Sequence, residues 1–167
     1  AGCADMALVL AGKRADGYHE LRSLVAFADV GDWITLDTSM PMGVTVSGPF
    51  AGSIAGANLV ETTLRLIERE SPSLQLGAVH LEKSLPVAAG IGGGSADAAA
   101  LLRAVQRANP ELATAVDWAA IAKSLGADVP VCLSNRASWM RGVGERLEPL
   151  GVPLPDLDVI LVNPLVP

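Results

Sequence analysis

Pro86-Val87-Ala88-Ala89-Gly90-Ile91-Gly92-Gly93-Gly94-Ser95-Ala96-Asp97-Ala98-Ala99-Ala100 is the stretch on which the reading of this chain turns. Glycines at 90, 92, 93 and 94 can take positive φ and bring main-chain N–H groups close to a ligand. Ser95 stands where a helix N-cap belongs, and the alanine-rich run after it has helical composition. Unpaired N–H groups in the first turn of such a helix attract phosphate. The expectation is nucleotide binding in the service of phosphoryl transfer. The plainer alternative is a flexible connector ending in a helix cap.

Two other glycine-rich designs are excluded. Nothing here matches GxxxxGK[ST], and the nearest lysine, Lys83, precedes the loop. A dinucleotide fold spaces three glycines after a buried strand and places an acid about twenty residues on. Here the glycines are nearly contiguous, they follow Lys83-Ser84-Leu85-Pro86, and no acid lies between Asp97 and Glu111.

Outward from the loop, 167 residues suffice for one domain with a real core. No apolar run reaches the ~18 residues of a membrane helix. The opening AGCADMALVLAGKRADGYHE reads as a strand rather than a signal peptide, because no basic segment precedes its short apolar stretch. Cys3 and Cys132 are too scattered for a disulfide framework or a zinc site, which fits a reducing cytoplasm. A net charge of −6, with no basic cluster beyond Lys13-Arg14, argues against a nucleic-acid partner. Phosphates can still be held by a helix terminus, commonly with magnesium sharing the task.

Periodicity predicts strands over Met6–Ala11, Arg22–Asp29, Trp33–Asp37 and Val44–Ser47, with Val30-Gly31-Asp32 as a hairpin turn between the second and third. Asn58–Arg69 is an amphipathic helix stopped by Ser71-Pro72-Ser73, and Ala78–Lys83 is a half-exposed strand whose His80 faces out. Helices over Ala96–Ala108 and Trp118–Leu125 follow, the second capped by Asp117 and closed by Gly126. Short strands are expected over Val129–Leu133, Ala137–Met140 and Val159–Val162, with a turn at Arg141–Glu145. Asp97 is expected to complement the dipole of the helix it opens, with a metal-ligand role conceivable. Strands and helices interleave irregularly, so the predicted class is α+β, a two-layer sandwich of mixed or antiparallel sheet and helices.

Three blocks together resemble the GHMP kinases: Gly12-Lys-Arg-Ala-Asp-Gly-Tyr-His-Glu-Leu21 running on to Asp29-Val-Gly-Asp32, the glycine loop, and Leu125-Gly-Ala-Asp-Val-Pro130 with Arg141-Gly-Val-Gly-Glu145 behind it. The first and third narrow the likeness to the branch that phosphorylates the 2-hydroxyl of a cytidyl-linked methylerythritol in non-mevalonate isoprenoid synthesis. That resemblance implies ATP with magnesium as cofactors and a small-molecule substrate, and no membrane partner. It puts the triphosphate on Pro86 to Ala96 and the adenine near Asn58. It pairs the cytosine with Tyr18 and His19, and makes Asp128 the base that takes the hydroxyl proton.

The residue types suit these roles. Tyr18 offers a π face and His19 a polar edge, as a flat base requires. Asp128, between a helix end and an apolar segment, can be held rigidly. Taken without the resemblance, Asp128 reads first as a turn carboxylate capping the next loop, and His19 equally as a surface turn histidine. A mevalonate-type substrate is the remaining enzymatic alternative, and the Tyr18-His19 block argues against it.

The chain departs from the family pattern at its start. The family's first strand carries a lysine and, two residues on, an asparagine; counted back without gaps from Arg14, those positions are Cys3 and Asp5. Cysteine supplies no fixed positive charge beside a transferring phosphoryl group, and losing one such partner commonly costs on the order of 100-fold in rate. The resemblance also implies two domains: residues 1–153 as the ATP-binding N-terminal domain and residues 154–167 as the first strand of a second. A nucleotide-binding piece with impaired or absent catalysis is therefore held beside the enzyme reading.

Overall fold

A computed structural model describes residues 3–13, 19–54, 56, 58–87, 90–142, 146–158 and 160, with the strands up to residue 21 described as backbone. Strands β1 (Cys3–Lys13) and β2 (His19–Phe27) pair antiparallel, with register shifts between Asp5 and Ala7 and between Leu10 and Gly12. The chain then enters a second sheet through β3 (Trp33–Asp37) and β4 (Gly43–Ser47). Helix α1 (Leu59–Glu70) carries it back to β5 (Ala78–Glu82), which lies between the other two, antiparallel to β3 and parallel to β4. Helices α2 (Gly93–Ala108), α3 (Trp118–Leu125) and α4 (Val129–Ser134) follow. Strands β6 (Ser138–Gly142) and β7 (Arg146–Pro149) then complete an antiparallel sheet in the order β1-β2-β6-β7. The architecture is α+β, as the interleaved pattern predicts, with the β structure divided between two sheets.

Helix α2 is the hub. It touches α1, α3, α4, β1 and β3, and Ala98, Ala99, Leu101, Leu102 and Val105 are wholly enclosed. Alanines on that face let neighbouring elements approach closely, while each fully buried leucine or valine contributes roughly 1.5–3 kcal/mol. Helix α1 meets it with Val60, Thr63, Leu64 and Ile67, the i, i+3, i+4, i+7 stripe of an amphipathic helix. Thr63 satisfies its buried hydroxyl on the Leu59 carbonyl at 2.7 Å. At the far end of α2, buried Asn109 accepts from the Gln75 N–H at 2.6 Å and donates to the Gln75 carbonyl at 3.0 Å and the Val105 carbonyl at 2.9 Å. This fastens the end of the helix to the segment leading into β5.

Three expectations are corrected. Val30-Gly31-Asp32 is a crossover between sheets rather than a hairpin turn. Asp32 turns inward and accepts from the N–H groups of Ser84 at 2.6 Å and Leu85 at 2.8 Å, which draws β3 alongside β5. Val129–Leu133 is helical. Pro130 lies in the first turn, where its missing N–H costs nothing, and Asn135 closes the helix at φ 48°. Helix α2 begins at Gly93, so Gly92, at φ 63°, is its N-cap and Ser95 is not. A left-handed residue there favours glycine. Of the expected strand over Val159–Val162 only Ile160 is among the described residues. Of the expected turn at Arg141–Glu145, Arg141 and Gly142 belong to β6 and 143–145 lie outside the described residues, while β7 is an element the periodicity did not reveal.

Candidate functional site

Gly90 to Ser95 forms the wall between two spaces. On one side is a cleft of about 340 Å³ lined by the loop together with Asn58, Leu59, Leu81 and Lys83. On the other is a pocket of about 30 Å³ shared by Gly90, Ile91, Gly92, Asp128 and Met140. The loop and Asp128 therefore line one small pocket from opposite elements. Ala96 N–H makes the first helical bond, to the Gly92 carbonyl at 2.8 Å. Among the described residues, no acceptor engages the N–H groups of Gly93, Gly94 or Ser95. These are the orphan donors of a helix start, and they carry its positive end. A Cβ built on Gly90 or on Gly94 would meet no protein atom within 4 Å, so the space over the loop is open.

Asn58 has two functions on one side chain. Its Oδ1 accepts from the Val60 N–H at 2.9 Å, capping α1. Its Nδ2 is buried and finds no partner among the described residues, and the residue itself lines the cleft. An enclosed amide donor without an acceptor carries a desolvation cost of about 1–3 kcal/mol, which a ligand acceptor would remove. Leu59, Leu81 and Ile54 beside it make that part of the cleft apolar.

Beneath the loop lies a charged cluster that the motifs did not point to. Lys83 is 4% exposed; its ammonium donates to Asp32 Oδ2 and, at 3.1 Å, to Asp97 Oδ2. Burial alone would lower the Lys83 pKa, but the hydrogen bond to Asp32 and the charge of Asp97 outweigh it and the net shift is upward. Burial pushes the Asp97 pKa up, Lys83 pulls it back and Asp32 pushes it up again, leaving it at about 6. Asp97 is thus in the second turn of α2 and turned inward, instead of complementing the dipole from the first. The sequence did hold a signal for Lys83. Val79 and Leu81 alternate onto the buried face of β5, and the same period places residue 83 on that face. A lysine pointing inward demands a carboxylate.

Of the other expected site residues, Pro86 and Val87 line the cleft and Ala96 is buried in the core. Ala88, Ala89 and Tyr18 lie outside the described residues. His19 is described as backbone at the start of β2, opposite Lys13. Asp128 follows α3 as expected, but it precedes a helix and not a strand. Cys3 and Asp5 open β1 opposite Phe27 and Val25. His80 is exposed, bonded to the hydroxyls of Thr45 and Ser47, both at 2.9 Å, and takes no part in the cleft. No group of three His, Cys, Asp or Glu among the described residues is placed to hold a metal. No described helix is long and apolar enough to cross a membrane.

Residues 58–136 match the GHMP kinases N terminal domain. A curated protein of Bradyrhizobium sp. (strain ORS 278), named 4-diphosphocytidyl-2-C-methyl-D-erythritol kinase, is 49% identical over 165 residues, covering 98% of this chain and 54% of its own. One of Methylobacterium radiotolerans with the same name is 50% identical over 161 residues, 95% of this chain and 55% of its own. A crystal structure of 4-(cytidine 5'-diphospho)-2C-methyl-D-erythritol kinase superposes with a TM-score of 0.74 at 38% identity, covering 91% of this chain and 54% of that one. The chain spans about half the length of the curated relatives it matches.

Proposed function

We propose that the chain is the nucleotide-binding part of an ATP-dependent kinase of the GHMP type, whose N-terminal domain matches residues 58–136. Its substrate is 4-diphosphocytidyl-2-C-methyl-D-erythritol, as the names of the similar proteins suggest. The observation that carries the reading is the glycine loop between a cleft and a pocket that Asp128 lines. The amides of Gly93, Gly94 and Ser95 take the phosphates, and the unpartnered Asn58 Nδ2 donates to a ring nitrogen of the adenine. Leu59 and Leu81 cover the base.

In the transfer step, Asp128 accepts the proton of the substrate hydroxyl as its oxygen bonds to the γ-phosphorus. The bond from that phosphorus to the ADP oxygen breaks. Charge gathering on the phosphoryl oxygens is stabilised by the loop amides, which are already oriented and need not reorganise. Magnesium, when bound with the triphosphate, neutralises part of that charge, its ligands being mostly phosphate oxygens and water. Ser95 in the cleft wall is a hydroxyl within the site for it. Tyr18 and His19 are assigned to the cytosine, and the compartment is the cytoplasm.

A second reading, nucleotide binding without turnover, is favoured by Cys3 at the position where the family carries lysine. One experiment separates the two. The purified chain is given ATP, magnesium and the cytidyl substrate, and ADP release is followed beside thermal stability. Turnover supports the kinase. Stabilisation by ATP without ADP release supports binding alone, and neither response removes both readings. If the first-strand count is correct, Cys3→Lys with Asp5→Asn raises the rate.

A further inference from the structure

The ammonium of Lys83, in the cleft wall, has two carboxylate partners among the described residues, both internal to the protein. Asp32 and Asp97 both bind it, with side chains 0% and 7% exposed respectively. Asp32 uses its other oxygen for the N–H groups of Ser84 and Leu85, the residues that lead into the loop. Asp97 belongs to α2, the helix that leaves the loop. A Cβ on Gly93 would lie 3.4 Å from Lys83 Nζ and 3.9 Å from Asp32 Oδ2, so the cluster is directly under the helix start. The Lys83 backbone is also engaged: its N–H donates to the Ser47 carbonyl at 2.7 Å and its carbonyl accepts from Phe50 at 3.2 Å.

We propose that Lys83, held between Asp32 and Asp97, is a positioning residue for the nucleotide site: it ties the strand entering the glycine loop to the helix leaving it. The loop amides are thereby set for a triphosphate before one arrives. Two features favour this over a role as a direct phosphate ligand. The ammonium is committed to two carboxylates, and those carboxylates together carry more negative charge than it neutralises. A loop rich in glycine is also free to wander, and fixing both its ends reduces the ordering entropy that binding must otherwise supply.

The proposal rests on the nucleotide reading, so two measurements are paired. ATP affinity is taken by calorimetry. Amide exchange at the bonded end of the loop, from Ala96 onward, is followed in the chain without nucleotide, since the N–H groups of Gly93, Gly94 and Ser95 have no bond to lose among the described residues. In Asp97→Ala, Lys83 keeps Asp32 but the tie to α2 is cut. Loop exchange should quicken by about tenfold and ATP affinity fall by about tenfold, with exchange in α1 and the β2–β6 pair unchanged. Asp97→Asn, which keeps an acceptor oxygen for the ammonium, should recover most of both. If Asp97→Ala does not fold, Lys83→Met combined with Asp97→Asn removes the tie without stranding a second charge, and should show the same two losses. Unchanged loop exchange and affinity in the folded variant overturn the positioning role alone. No ATP binding by the unsubstituted chain overturns the nucleotide reading and this proposal with it.

Discussion

Helix α2 is pinned by buried polar groups at both ends, and the two pins are built on different principles. At its C-terminal end Asn109 is neutral and makes three hydrogen bonds to backbone groups, so nothing is left over. At its N-terminal end Asp32, Lys83 and Asp97 are ionisable, and they line or underlie the cleft. A buried ionic cluster adds little stability over a well-packed neutral one, because desolvation offsets much of the attraction. The difference teaches that the Asn109 end is built for stability alone. The charged end is placed where geometry over the cleft matters.

The contrast can be broken most forcefully at Lys83. Lys83→Met leaves two carboxylates facing each other in the interior, and a loss of about 3–5 kcal/mol is expected in urea unfolding. A loss under 1 kcal/mol would mean the cluster is more hydrated than its burial implies. Asn109→Ala comes next: the Gln75 N–H and carbonyl lose their partners, at a cost of about 2–3 kcal/mol, while ATP affinity in the folded variant stays unchanged. If affinity falls there as far as in Asp97→Ala, the two ends do not differ in kind.

The third test uses pH. The Asp97 pKa is raised to about 6 from 3.8, so its neutral form is favoured by folding. The stability this contributes is fully present below pH 3.8 and is lost as pH rises through about 6. Its size is on the order of 3 kcal/mol. Asp97→Asn should flatten the unfolding midpoint between pH 4 and 7 relative to the unsubstituted chain; an unchanged slope would assign the titration elsewhere. The smallest effect is expected at Asn58→Ser, which keeps a cap for α1 and should change stability by less than about 0.5 kcal/mol. It loses the amide donor, so ATP affinity should still drop several-fold.

Much of this was legible in the chain and some was not, for physical reasons. Helix α1 was read because its apolar residues recur at helical spacing and Ser71-Pro72-Ser73 ends it; that Asn58 caps the helix and is not its first residue came from the structure. Strand β5 was read because Val79 and Leu81 alternate with His80 and Glu82. Helix α4 was misread because a short run of Val129, Val131, Cys132 and Leu133 is apolar enough for either structure, and only Pro130 and the left-handed Asn135 decide it. The placement of β3 was missed because a turn at Val30-Gly31-Asp32 looks local, whereas Asp32 answers to residues more than fifty positions away. In the cleft, the glycine loop came from its motif and Asp128 from the family resemblance; the charged cluster needed the register of β5 followed one residue beyond its visible end.

The long-range pairing of β2 with β6 has a consequence for how the molecule is made. Leu21 to Val25 hydrogen-bond with Ser138 to Gly142, so the first two strands must wait for most of the polypeptide to emerge before their sheet can be finished. Such distant closures fold slowly, whereas α1 and α2 can associate early through nearby contacts. Refolding should protect the helical amides first and those of β2 last, a sequence that pulse-labelled exchange would resolve. During that interval the waiting β-ribbon is the segment most exposed to mispairing with another nascent chain.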